Sequence, residues 1–339
     1  MKKKVSILSI DGGGIRGIIP AVILNYIEEK LQKKTGNPNV TLADYFDLIA
    51  GTSTGGILTC YYLLPPTSPD GPHSQYFAKE AIDIYAKRGK EIFDKKWLRN
   101  GIAAPMYAPT GLEKALKEKM GDTLLSQTRK HSLITAYDIT ERKAVLFTTP
   151  DAKKHAHRDY YMRDIARATS AAPTYFEPAT VQSMGGAISY LIDGAMFAGN
   201  PTISAIVEAN KTDFGHSNKP GIPDLYIVSV GTGKERKKYD YNKAKGWGMI
   251  GWAQPVVDIL LSASAEVVHY EVNVLFRTQD CSDCYERIEP ELYRALPSMD
   301  DVSDENIKNL IDAGNCYIQD HVEQLDRIVE RLFENGQSE

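Results

Sequence analysis

Cysteine is scarce in this chain. Four occur among 339 residues, Cys60, Cys281, Cys284 and Cys316, too few and too scattered for a disulfide framework, so free thiols in a reducing compartment are expected. Cys281-x-x-Cys284 lacks the remaining ligands of a zinc site, and its closing into a redox-sensitive loop is the lesser reading. No run approaches twenty apolar residues, so nothing is expected to span a bilayer. Met1-Lys2-Lys3-Lys4 is basic, but a short strand-like run ending at Asp11 follows it, unlike a signal peptide. The expected location is therefore cytoplasmic, with only peripheral contact with a membrane. Internal repeats and low-complexity linkers are missing. A net charge of −4 gives no electrostatic case for a nucleic-acid polymer as partner. With 42% hydrophobic residues the chain can bury a large core in one enlarged α/β domain over residues 1–339. Its core is expected at about 4–210, with a helical part at about 250–335 packed on it.

What the chain does have is glycine in two telling places. Gly51-Thr52-Ser53-Thr54-Gly55 follows the apolar run Phe46-Asp47-Leu48-Ile49-Ala50 and precedes Ile57 and Leu58. A strand that enters a helix through this Gly-x-Ser-x-Gly turn forces the serine hydroxyl outward, as a nucleophile requires. Gly51 and Gly55 remove the Cβ atoms that would obstruct the turn. The bland reading is an ordinary Gly/Ser/Thr loop. The second place is Asp11-Gly12-Gly13-Gly14-Ile15-Arg16-Gly17, between the strand-like run 5–10 and a stripe of Ile19, Ile23, Ile27 and Leu31, which predicts a helix. A glycine loop at a helix N-terminus offers backbone N–H groups to a phosphate or to the oxyanion of an acyl-transfer intermediate. Read as Gly12-x-Gly14-x-x-Gly17, it also matches a dinucleotide fingerprint. The acidic residues at about the right spacing, Glu28 and Glu29, lie within the predicted helix rather than at a strand end, against that reading.

A serine nucleophile needs a base. None of the seven histidines, His73, His131, His155, His157, His216, His269 and His321, stands in a recognisable catalytic setting. Asp193 ends the apolar run 188–192 and precedes Gly194-Ala195, a carboxylate at a strand end with open access. On its own, Asp-Gly reads better as a turn.

Together these three segments resemble the patatin family of lipid acyl hydrolases. The likeness extends to Ala43-Asp44-Tyr45-Phe46-Asp47, Ala171-Ala172-Pro173-Thr174-Tyr175-Phe176, Ser229-Val230-Gly231-Thr232-Gly233 and Met299-Asp300-Asp301. The resemblance implies a three-layer α/β fold with a mainly parallel central sheet and helices on both faces. It implies a Ser53–Asp193 dyad without histidine, an oxyanion hole on Gly12, Gly13 and Gly14, and Arg16 steadying that loop or meeting a lipid phosphate. It implies no cofactor and no metal, and a membrane glycerolipid as substrate. Asp11, Gly17, Gly51, Gly55 and Gly194 complete the motifs. A storage or lipid-binding protein on the same scaffold is the alternative. Among such families are bacterial antiphage phospholipases switched on by cyclic nucleotides; a small cyclic-nucleotide activator is thus an expectation for which no sequence site is visible.

Further strands are expected at 131–137, 144–149 and 225–230. Residues 76–116 read as helices and loops, where Phe93, Trp97, Ile102, Met106 and Tyr107 pack as a subcore or line an acyl groove beneath a lid. The basic run 234–238 reads as a solvated loop. A helix is expected to open near Pro255. Ile318, Val322, Leu325, Val329 and Leu332 step by four and three, a seam for a homo-oligomer or, preferred, a helix docked on the body.

Overall fold

The computed structural model describes residues 3–66, 74–94, 104–234 and 239–338; Trp97, Ile102, His73 and residues 235–238 of the basic run lie outside them. Eight strands form one sheet: β1 (Val5–Ile10), β2 (Leu48–Gly51), β3 (His131–Asp138), β4 (Lys143–Thr148), β5 (Ala179–Gln182), β6 (Ile188–Asp193), β7 (Leu225–Val230) and β8 (Tyr285–Ile288). Their order is β5-β6-β3-β2-β1-β7-β8, with β4 also paired to β3. The β3-β2-β1-β7-β8 portion is parallel, and β1 and β7 are buried along their whole length, as strands covered on both faces must be. The pairings of β3 with β4, β3 with β6 and β5 with β6 are antiparallel. The α/β class and mostly parallel sheet are as expected.

Helices α1 (Ile18–Thr35), α2 (Leu42–Tyr45), α3 (Thr54–Tyr62), α4 (Ala78–Ile92), α5 (Thr110–Met120), α6 (Thr149–Lys154) and α7 (Met162–Thr169) occupy the first half of the chain. Then come α8 (Ala195–Ala198), α9 (Thr202–Lys211), α10 (Tyr241–Ala244), α11 (Met249–Thr278), α12 (Asp304–Asp320) and α13 (Val322–Gln337). The stripe on α1 is fully buried at Ile19, Ile23, Ile27 and Leu31. Glu28, on the same helix, accepts from Leu42 N–H at 2.9 Å and Ala78 N–H at 2.7 Å. One buried carboxylate thus caps the first residues of α2 and α4, where unpaired N–H groups and the positive dipole end favour an anion.

Two expectations about the C-terminal part change. Pro255 does not open its helix but sits at the seventh position of α11, where it removes one intrahelical hydrogen bond. The segment Pro255–Thr278 is also long and apolar enough to cross a membrane by length and composition, and only 18% of its 18-residue apolar window is buried. The seam from Ile318 to Leu332 is not one helix, because the chain breaks at His321 between α12 and α13. Leu325, Ile328, Val329 and Leu332 are buried, and α13 lies along α1 with Lys30–Asp326 and Lys34–Glu330 ion pairs at 2.9 and 2.5 Å.

Candidate active site

The two sequence-distant residues meet because β3 is shared by two strands on the same edge. β2 runs parallel to β3 and ends with Gly51 opposite Ile134. β6 runs antiparallel and ends with Asp193 opposite Ala136. Their C-terminal ends therefore face one another across a single β3 residue, Thr135. Its hydroxyl hydrogen-bonds that of Thr52 at 2.7 Å, and a Cβ on Gly194 would approach Thr135 Oγ1 to 2.1 Å. Glycine is required there so that the carboxylate strand can end this close to the serine strand.

Ser53 has φ 56° and ψ −123°, a conformation uncommon for a residue with a Cβ and characteristic of strained functional turns. Its N–H donates to Thr169 Oγ1 at 2.9 Å, and Thr54, the next residue, starts α3. A Cβ on Gly51 would meet Gly55 O at 2.1 Å and one on Gly55 would meet Ile10 O at 2.1 Å, so α3 packs onto β1 and β2 only with glycine at both positions. The helix N-terminus then points at the serine.

Ser53 Oγ donates to Asp193 Oδ2 at 2.6 Å, and Asp193 Oδ1 accepts from Ala195 N–H at 2.8 Å. Asp193 is 1% exposed. Burial pushes its carboxyl up to about 7, against the lowering effect of the Ser53 and Ala195 hydrogen bonds. This is the direction that turns a weak carboxylate base into a useful one near neutrality.

The glycine loop is held from several sides. Gly12 N–H donates to Gly199 O at 2.9 Å, and Gly12 O accepts from Thr232 Oγ1 at 2.6 Å, so the peptide groups of Gly12 are committed to structure. No partner among the described residues takes the N–H of Gly13 or Gly14. Gly14, at φ +59°, lines the same cleft as Ser53 and Asp193. Arg16 Nε donates to Gly13 O at 3.3 Å, steadying the loop, and a Cβ on Gly17 would meet Thr54 Oγ1 at 2.1 Å. Asp11 is buried against Arg287, which reaches both its oxygens at 2.6 and 3.2 Å. Burial pushes Asp11 up to about 6, with Arg287 opposing. Sequence reasoning missed Thr135, Thr169 and Arg287, since no local pattern marks them.

The other segments that carry the family resemblance also acquire jobs. Met299 O accepts from Ile15 N–H at 2.9 Å and Ala171 O accepts from Asp193 N–H at 3.0 Å. Asp47 Oδ2 accepts from Ser6 N–H at 2.9 Å, and Asp44 closes a capping box with Thr41 at the start of α2.

The cleft over the dyad is apolar, walled by Ile57, Tyr85, Phe93, Leu116, Phe176 and Val257 among others. Tyr85 Oη bonds Thr54 at both its hydroxyl and its carbonyl, at 2.5 and 3.2 Å, which fixes α4 over the serine. Phe93 both lines the cleft and packs on Tyr107 and Phe176, so the two readings of this residue coincide; Tyr107 is buried, with its hydroxyl donating to Asp300. The free space is about 60 Å³, room for a few water molecules and short of the roughly 300–1,000 Å³ of an open ligand pocket. A larger groove of about 920 Å³ between α1 and α12 is lined by Cys316, Glu29 and Asp312, but no hydrogen bond among the described residues joins that thiol to a base; the chemistry, not the volume, marks the site. No described histidine lines the Ser53 cleft. His131 is half-buried beside Phe214 and held down to about 4 chiefly by that partial burial, and His269 bonds Tyr285 Oη at 3.0 Å.

The family model for patatin-like phospholipase matches residues 8–206. Patatin-like protein 2 of Oryza sativa subsp. indica is 35% identical over 353 aligned residues, covering 96% of this chain and 86% of the relative. Patatin-like protein 2 of Arabidopsis thaliana is 37% identical, covering 92% and 82%. The chain belongs to the patatin-like phospholipase family. Membership supports lipid acyl hydrolysis as the general activity. It does not by itself guarantee turnover, because a relative from Solanum tuberosum that is 33% identical, covering 94% of this chain and 88% of its own, is described as a probable inactive patatin-3-Kuras 1. In patatin terms, the Ser53 turn, the glycine loop and Asp193 are the segments that meet at the cleft.

Proposed function

We propose that this chain is a serine lipid acyl hydrolase of the phospholipase A type, cleaving fatty-acyl esters of membrane glycerolipids through Ser53 and Asp193. The observation that carries the reading is the 2.6 Å hydrogen bond from Ser53 Oγ to a carboxylate buried in an apolar cleft. Asp193 Oδ2 takes the hydroxyl proton as Oγ attacks the ester carbonyl. The oxyanion is received by the N–H groups of Gly13 and Gly14, with the N-terminus of α3 adding positive potential. The tetrahedral intermediate collapses, Asp193 returns the proton to the departing alcohol, and the acyl chain remains on Ser53. Water, deprotonated by Asp193, then releases the fatty acid and restores the serine.

The test is fatty-acid release from phosphatidylcholine vesicles, followed by mass spectrometry, for the parent protein and Ser53→Ala. The reading expects loss of release in the variant with an unchanged circular dichroism spectrum; equal release from both sinks it. A lipid-binding scaffold with negligible turnover is the second reading, favoured by the narrow cleft and by the relative described as inactive. That protein would retain lipid yet fail to react with a fluorophosphonate at Ser53.

A further inference from the structure

Helix α11 is apolar on two sides, and among the described residues only one of them is covered. Val257, Val268, Val272 and Phe276 are buried against the body. On the other side Trp252, Val256, Ile259, Leu260, Val267 and Tyr270 are between 38 and 69% exposed. With Ala263 they fall at helical spacings of three, four and one from 252 to 270, a single face about 27 Å long at 1.5 Å per residue. That face carries no charge from Trp252 to Tyr270; Asp258 and Glu266 turn instead to the polar groove that holds Asp11 and Arg287. An uncovered apolar face of this length marks an interaction surface.

Two observations choose the occupant. The first is charge: the described residues 239–245, which lead into α11, carry Lys243 and Lys245 against one acidic residue, Asp240, in a chain whose net charge is −4. Lys243 and Lys245 of this segment are exposed, as are Tyr239 and Tyr241. A basic, tyrosine- and tryptophan-bearing flank beside an apolar helical face suits the headgroup region of an anionic bilayer, where aromatic rings settle and each basic residue adds attraction. The second is position: Val257, on the same helix, lines the Ser53 cleft, as do Ala195 and Met196 of α8. The uncovered face and the candidate catalytic cleft are thus two sides of one helix.

We propose that α11 lies in the plane of an anionic membrane through its Trp252–Tyr270 face, assisted by Lys243 and Lys245, and so sets the Ser53 cleft at the lipid surface. The proposal rests on the acyl-hydrolase reading for its purpose, but the binding itself is measurable without turnover. In the full chain carrying Ser53→Ala, co-sedimentation with mixed phosphatidylcholine–phosphatidylglycerol vesicles is expected, weakening as salt rises. Adding Ile259→Glu and Val267→Glu is expected to reduce partitioning by about ten-fold or more, since two charges enter the apolar face. Adding Lys243→Glu and Lys245→Glu instead is expected to remove the preference for anionic over pure phosphatidylcholine vesicles. With Ser53 restored, both pairs are expected to keep hydrolysis of a soluble short-chain ester, which shows that the fold and site survive. Failure of the parent protein to bind vesicles, or unchanged binding in the Ile259→Glu/Val267→Glu chain, overturns the proposal. So does a change from dimer to monomer in that chain with vesicle binding intact, which makes the face a contact between copies. Vesicle binding without any ester hydrolysis by the Ser53 protein undoes the catalytic reading alone and leaves the docking surface standing.

Discussion

At Asp193 one environment governs both chemistry and stability. The base must be ionised to take the Ser53 proton, so kcat/KM is expected to rise with pH through about 7, the value to which burial lifts this carboxyl; a profile flat from pH 5 to about 8 contradicts the assignment. The stability consequence has a definite sign. A carboxyl raised from 3.8 to about 7 on folding is neutral in both states at low pH, and above 3.8 ionisation favours the unfolded chain. The penalty is complete above about pH 7 and is on the order of 4 kcal/mol. Asp193→Asn removes it, so the Tm of the variant relative to the parent is expected to improve between pH 4 and 8 while turnover falls by about 10²–10⁴. Asp11 and Arg287 pose the complementary case, a buried ion pair. Arg287→Met leaves an unpartnered buried carboxylate and is expected to cost about 3–5 kcal/mol in urea unfolding. Ser53 and the glycines were visible in a local pattern of strand, turn and small residue, and Asp193 only through the family resemblance, since Asp-Gly by itself reads as a turn. Arg287, Thr135 and Thr169 were not, because what selects them is a neighbour across the sheet.

At the scale of elements, short-range periodicity was a good guide and long-range pairing was not. The four-residue stripe of α1 fixed a helix and its buried face from spacing alone. Nothing local revealed that β6 would end against the same strand edge as β2, or that residues 318–332 would break at His321. Pro255 misled, because its ring is tolerated in α11 at the loss of one hydrogen bond rather than setting the helix start. Two substitutions test how elements are joined. Glu28→Ala strands the N–H groups of Leu42 and Ala78 in a buried place and is expected to cost about 2–5 kcal/mol, read from the midpoint of urea unfolding. An effect within about 0.5 kcal/mol would show that water replaces the carboxylate. Gly55→Ala drives a Cβ to within 2.1 Å of Ile10 O; its expected result is loss of fluorophosphonate labelling at Ser53 even in whatever fraction of the protein remains folded.

The whole molecule joins a rigid sheet, which brings two distant carbonyl-end residues together, to a cleft with little free space above them. With about 60 Å³ over the dyad, an acyl chain enters only if side chains such as Phe93 or Tyr85 give way, so slow turnover on lipids with a long acyl chain and faster turnover on short esters is expected in the absence of vesicles. The far side of the fold is closed by the C-terminus. Asn335 on α13 exchanges hydrogen bonds with the backbone of Lys4 at 2.7 and 2.8 Å, and four aliphatic residues of α13 are buried. Each such side chain is worth about 1.5–3 kcal/mol, which together rivals the 5–15 kcal/mol stability of an ordinary domain. The central claim, a serine activated by one carboxylate, is tested most directly by intact-mass and peptide analysis after timed exposure to a fluorophosphonate. The account predicts a single adduct on Ser53, none in Ser53→Ala, and labelling slowed by about 10²-fold or more in Asp193→Asn. An adduct on another residue, or an undiminished rate in Asp193→Asn, would contradict it.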